Sequence, residues 1–338
     1  MPPDLLNATV LLGNYVVVPG VAYAAQLALG ALGITLVFGV LRFANLAHGD
    51  LMAFGAMATV LATWQLQAWG VGLGPLPTAL LALPLGILAA IAAALAADRL
   101  VFRFYRRRRS APVTLVMASL GVMFVLNGVV RFIIGPGDRQ FADGERFIVK
   151  AQEFKRATGL AEGLSIKTAQ CLTVIIAIVT VVLLFRFLQR TRTGKSMRAY
   201  SDNEDLALLS GVNPERVALI AWTIAAALAA IAGALYGLDK SFKPFTYFQL
   251  LLPMFAAAIL GGIGQPVGAI VGAVIVAFSE VAVTYAWKKF LYYLLPEAWR
   301  PDGLAQLLST DYKFAVSFVI LVLVLLIRPS GIFRGRVL

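Results

Sequence analysis

Three polar side chains interrupt an apolar stretch early in this chain: Asn45, His48 and Asp50, within Arg42–Gly55. A free histidine changes charge near neutral pH, so one reading of the motif at His48 is a proton relay. A second is a helix start or break whose polar groups satisfy loose backbone. A third is the lining of a solute pathway. Ionisable groups at membrane depth are costly, and they face a bundle interior or water. Glu280 is the other acid well inside an apolar segment, and Arg131 and Asn127 on another segment are its candidate partners by residue type. No enzyme constellation accompanies these residues. Gly-x-Ser-x-Gly is absent, and no acid pair stands out in a soluble portion. The one histidine rules out a multi-histidine metal site, and Cys171, inside an apolar segment, leaves no intrachain disulfide. No cofactor is indicated.

The second chemically suggestive stretch is Arg190–Arg216. It holds five bases (Arg190, Arg192, Lys195, Arg198, Arg216) and four acids (Asp202, Glu204, Asp205, Glu215) between two uncharged segments. Gly194-Lys195-Ser196 resembles the end of a phosphate-binding loop. The motif needs a glycine where Gln189 stands and a strand where an apolar span precedes it, so nucleotide binding by this chain is not expected. Ser201-Asp202-Asn203-Glu204 reads as a capping box, which predicts a short helix over about residues 202–210. Gly211 is its stop, and Asn213-Pro214 starts the next helix. Leu206 and Leu209 share a face that a partner's groove could take, or that could lie on the chain's own bundle.

The elements that position these residues are membrane helices. The 338 residues are 60% hydrophobic and 14% charged, with mean hydropathy +0.84. Soluble chains carry about 25% charge. The apolar residues fall in blocks long enough to cross a hydrocarbon core about 30 Å thick, and backbone in lipid must satisfy its own hydrogen bonds. The expected fold is all-α, a polytopic bundle of about 8–9 segments in one domain over residues 1–338. The segments are Val21–Leu41, Leu46–Gln67, Pro77–Ala97, Pro112–Ile134, Ala169–Leu188, Val217–Leu238, Leu250–Ile263, Pro266–Trp287 and Tyr312–Ile327. Leu250–Ile263 is short for a span and reads as a partial or tilted helix. Gly264, Gly268 and Gly272, like Gly233 and Gly237, recur every four residues, a spacing that lets helices approach closely.

The net charge of +12 suits cytoplasmic loops and lipid headgroups better than nucleic acid, for which no recognition fold is visible. The cluster Arg103, Arg106, Arg107, Arg108 and Arg109 abuts a span end and places that end in the cytoplasm. Parity then puts 190–216 and the C-terminus inside, and the loops 135–168 and 288–311 outside. The first 20 residues have no Lys or Arg, which argues against a signal peptide. From these residues alone, the chain reads as a transporter or channel subunit with a partner-docking cytoplasmic helix.

Four motifs, in order, resemble the branched-chain amino acid ABC transporter permeases. They are Leu41-Arg-Phe-Ala-Asn-Leu-Ala-His-Gly-Asp-Leu-Met-Ala-Phe-Gly55; Gly194-Lys-Ser-Met-Arg-Ala199 with Leu209-Ser-Gly-Val-Asn213; Ala257-Ala-Ile-Leu-Gly-Gly-Ile-Gly-Gln-Pro-Val-Gly-Ala269 with Gly272 and Glu280; and Ile327-Arg-Pro-Ser-Gly-Ile332. The His-Gly-Asp version resembles the shorter of the two permeases in such systems. The resemblance implies a bacterial inner-membrane importer with a second related permease, two cytoplasmic ATPase subunits and an external substrate-binding protein. It implies ATPase coupling through Glu204, Asp205, Leu206, Leu209 and Gly211, with Asp205-Leu206-Ala207 where the general importer pattern has Glu-Ala-Ala. Asn45, His48, Gly49, Asp50, Gly261, Gly262, Gly264 and Glu280 become pathway or structural positions. Substrates of the class are branched-chain amino acids or related small amides and carboxylates. The alternative is a secondary transporter driven by an ion gradient through His48, Asp50 and Glu280.

Overall fold

The computed structural model describes residues 3–296, 299, 301 and 303–333. The external excursion expected at 288–311 therefore includes four positions (297, 298, 300, 302) outside the described residues, as does the C-terminal end, 334–338. Eight helices in the described residues are long and apolar enough to cross a membrane.

The first is longer than its apolar block. Helix α1 (Pro3–Leu12) runs through a π turn (Gly13–Val17) into α2 (Val18–Leu41). Pro19 has no N–H to give the Tyr15 carbonyl, and the π turn lies just before it. Helix α3 (His48–Ala68), where the apolar segment Leu46–Gln67 was expected, is not apolar enough to count among the eight; it is largely buried and carries the polar motif at its start. Helix α4 (Ala79–Ala97) continues through a second π turn (Asp98–Phe102) into α5 (Arg103–Arg107), followed by α6 (Pro112–Ile134). After α8 (Thr168–Arg190) come the short helices α9 (Arg192–Asp202) and α10 (Glu204–Leu209), then α11 (Pro214–Lys240). Helices α12 (Pro244–Gly261), α13 (Pro266–Thr284) and α15 (Lys313–Ile327) complete the spans.

Helix α12 corrects the partial helix expected at Leu250–Ile263. It starts six residues earlier, at Pro244, and its 18 residues suffice for a span. The apolar count missed that start because Thr246, Tyr247 and Gln249 dilute it, yet Tyr247 is fully buried and donates to the Gly233 carbonyl at 3.0 Å.

Helix α2 is the central rod, buried over most of its length against α13, α11, α12 and α8. Alanine-rich α11 packs beside it and against α3 and α4. Small side chains are what let these backbones meet. A Cβ on Gly233 would stand 2.5 Å from the Met52 carbonyl oxygen.

The bundle has two distinct ends. At one, Arg103, Arg106 and Arg107 surround Glu215, at 3.2, 3.2 and 3.6 Å, joining α5 to the start of α11. At the other, the segment 135–168 holds a two-stranded antiparallel ribbon, β1 (Phe147–Val149) with β2 (Ile166–Lys167), and a short helix α7 (Ala151–Thr158). Asn7 and Asn14 on the first helix accept from the amides of Ala161, Glu162 and Ser165, and α14 (Lys288–Leu294) packs on α1.

Candidate functional site

The first-half motif is a helix start inside the bundle. Helix α2 stops at Leu41 because Arg42 turns left-handed (φ 60°), and the Arg42 guanidinium donates to the Ser201 carbonyl at 2.7 Å. The chain then re-enters without helix. Asn45 Oδ1 accepts from the Ala47 amide (3.1 Å), and the Leu46 amide donates to Ser119 Oγ (3.1 Å). Ser119 lies seven residues into α6, so α3 begins roughly 10 Å below that end. Irregular backbone at such depth is tolerated where protein buries it.

His48 is 0% exposed, and its ring meets the Gly30 backbone. Its ring lies on the Cα of Gly33, where a Cβ would come within 2.6 Å of Cε1. Gly49 admits the Tyr247 carbonyl, 2.7 Å from where a Cβ would be. Asp50 Oδ1 accepts from Asn127 Nδ2 at 2.6 Å, and the Arg131 charge acts on the same carboxylate. These contacts correct the expected partners of Glu280, since Asn127 and Arg131 serve Asp50.

Glu280, 1% exposed, faces Ser317, which hydrogen-bonds it, and Lys313 Nζ at 4.0 Å. Lys313 also lies over the Tyr23 ring at 4.1 Å. Lys313 and Ser317 went unnoticed in sequence. Their spacing of four on the last helix, which puts both on one face, was the available signal.

The charged segment is two helices rather than one. Thr191 Oγ1 caps α9 by accepting from the Gly194 amide (3.0 Å), and α9 runs on through Ser201. Asn203, not Ser201, caps α10, accepting from the Leu206 amide at 3.0 Å. Glu204 does not reach back to Ser201; its Oε1 accepts from the Tyr200 hydroxyl (2.7 Å). Burial and then Glu204 raise that phenol above its ordinary value. The helix is six residues, shorter than expected, and Gly211 follows it with φ +80°. Asn213 caps α11 through the Glu215 and Arg216 amides, and Pro214 opens it as expected. Gly194-Lys195-Ser196 is helical; a Cβ on Gly194 would stand 2.2 Å from the Phe187 carbonyl oxygen, so the glycine serves the α8–α9 crossing. Leu209 is 85% exposed and Leu206 61%, while Ala207 between them is buried. Asp205 is in the first turn of α10.

The glycine motif is a tight helical hairpin. Gly262 (φ 105°) and Gly264 (φ 86°) form the turn between α12 and α13. Gly264 is thus no part of a helical stripe, and Gly268 and Gly272 alone carry that packing. Gly261 and Gly268 touch backbone to backbone, and a Cβ on Gly272 would fall 2.0 Å from the Ala257 carbonyl oxygen. The chain's ending returns here: the amides of Ile332 and Phe333 donate to the Leu260 and Gly261 carbonyls at 2.8 and 3.2 Å. These are helix-end acceptors that otherwise lack donors.

The comparisons with known proteins agree with the motifs. A family model described as branched-chain amino acid transport system / permease component matches residues 16–325. The high-affinity branched-chain amino acid transport system permease protein LivH of Escherichia coli K12 is 30% identical over 93% of this chain and 92% of its own. BraD of Pseudomonas aeruginosa, named for the same system, is 26% identical over 93% and 94%. LivM of E. coli K12 matches at 26% over 42% of this chain and 35% of its own. A match running through both the re-entrant motif and the glycine hairpin means that the chain belongs to the family of branched-chain amino acid transport permease components.

Proposed function

We propose that this chain forms half of the translocation path of an ATP-driven importer of branched-chain amino acids in the bacterial inner membrane. A second related permease stands beside it, as the resemblance to both LivH and LivM supports. The arginine-rich end is cytoplasmic by the positive-inside rule and receives two ATPase subunits, while the 135–168 end meets an external binding protein.

The observation that carries this reading is the presentation of α10. Leu206 and Leu209 are exposed on a helix of six residues, too short to be stable alone. The segment is nevertheless held firmly, by the Asn203 cap, the Tyr200–Glu204 bond, the Gly211 turn and the Arg42–Ser201 contact. An exposed apolar pair on a fixed support is a docking surface. Asp205 completes its first turn.

The same contacts give motion a route. Ser201 touches α2 at Arg42 and Gly39; α2 then carries His48 on Gly33 and, toward its other end, Tyr23 beside Lys313 and Glu280. A shift of α9–α10 reaches both buried polar groups through one helix. In this reading Asn45, Gly49 and Asp50 fix the deep start of α3, and Gly261, Gly262 and Gly264 fix the hairpin beside it.

Replacing Leu206 and Leu209 with Asp tests the docking surface. The ATPase subunits are expected to be lost on co-purification while the chain stays monodisperse. Co-purification at wild-type yield contradicts the proposal.

A further inference from the structure

A cavity of about 350 Å³ opens at the end of the bundle opposite the arginines, where the last turn of α11 meets the segment 135–168 and β2. That volume falls in the range of about 300–1,000 Å³ typical of small-molecule sites. Its charged lining comes from Asp239, Lys240 and Lys167, with Asp143 and the exposed Glu145 and Arg146, and Pro77, Phe141 and Leu238 supply apolar surface.

Asp239 is unusual in three ways. Its side chain is 3% exposed, yet Oδ1 accepts no hydrogen bond. Its two lysine neighbours stand off, Lys167 Nζ at 3.5 Å and Lys240 Nζ at 3.6 Å. And it occupies the C-terminal turn of a long helix, where the dipole favours cations and opposes a carboxylate. A buried acceptor left without a donor is costly unless something supplies one. Oδ1, which Lys167 faces at 3.5 Å without hydrogen-bonding it, and the helix end both favour an ammonium group as ligand. The lysines, each with donors not spent on Asp239, are placed for a carboxylate. Asp143, which also lines the cavity, does not compete, because Thr78 holds both its oxygens at 2.7 and 2.5 Å.

We propose that this cavity binds the amino-acid zwitterion on the permease itself, with Asp239 taking the ammonium, Lys167 and Lys240 the carboxylate, and Pro77, Phe141 and Leu238 facing the apolar side chain. The inference rests on the substrate class proposed above.

The test uses the assembled permease–ATPase complex in nanodiscs, without binding protein or ATP, and follows tritiated leucine by scintillation proximity. Saturable binding is expected, weakened about tenfold or more by Asp239→Asn. On the wild-type complex, isocaproic acid (no ammonium) and isoamylamine (no carboxylate) are expected to compete poorly. This comparison needs no variant to fold. Absence of saturable leucine binding, a smaller loss in Asp239→Asn, or either analogue competing as well as leucine overturns the site. ATP-driven leucine uptake with binding protein, measured alongside, separates the two claims: no leucine uptake sinks the substrate class, whereas uptake with any of those binding results sinks only this site.

Discussion

Asp98 shows how single residues hold the charged end together. Its side chain is 1% exposed, and Arg106 meets it at 2.7 Å while also reaching Glu215 at 3.2 Å. Removing one partner of a buried pair leaves an uncompensated charge, so Arg106→Ala is expected to cost roughly 3–5 kcal/mol. A thermal melt of the purified protein reads this; an unchanged midpoint contradicts it. At the opposite end, Asp143 accepts from the Thr78 amide and hydroxyl. Burial there works against ionisation, but the hydrogen bonds from Thr78 and Gln67 outweigh it and hold the carboxyl below its ordinary value. The tie is therefore complete above the unfolded value near 3.9 and is lost as pH falls through the lower folded value. Hydrogen exchange at residues 141–146 is expected to rise below about pH 4 in the native chain. In Asp143→Asn it is expected to be raised at every pH.

Among elements, the hairpin α12–α13 gives the sharpest expectation. Gly272→Val forces atoms into the Ala257 carbonyl, 2.0 Å from the first of them, at a cost of roughly 1–3 kcal/mol or more. Gly121 on α6 has no neighbour within 4 Å of such a Cβ, so Gly121→Ala is expected to be neutral or slightly stabilising. Comparative melting of the two variants checks this.

The elements also show what was legible in the chain. Apolar blocks located the spans, and Asn213-Pro214 and Gly211 located a helix start and stop, because each acts locally. The start of the first helix was not legible. Asn7 and Asn14 lower local hydropathy, and their partners lie some 150 residues away. The capping box read at Ser201–Glu204 placed the helix start two residues early: Ser201, whose carbonyl Arg42 holds, stays in α9, and Asn203 is the cap. Asn127 and Glu280 were both visible as polar groups in apolar segments, but which pairs with which depends on helix neighbours that no local pattern encodes.

For the whole molecule, a central α2 links α9 at one end to buried polar groups along its length. In the importer proposed above, partner subunits would hydrolyse ATP and this chain would convert their movement into access for solute. The alternative, an ion gradient acting through His48, Asp50 and Glu280, predicts different energetics. The direct measurement is leucine uptake into proteoliposomes holding both permeases and both ATPase subunits, with binding protein on the receiving side. The account predicts uptake that requires ATP and disappears when the ATPases carry a phosphate-loop lysine substitution. Uptake that persists with those disabled ATPases, or follows an imposed ion gradient without ATP, contradicts it.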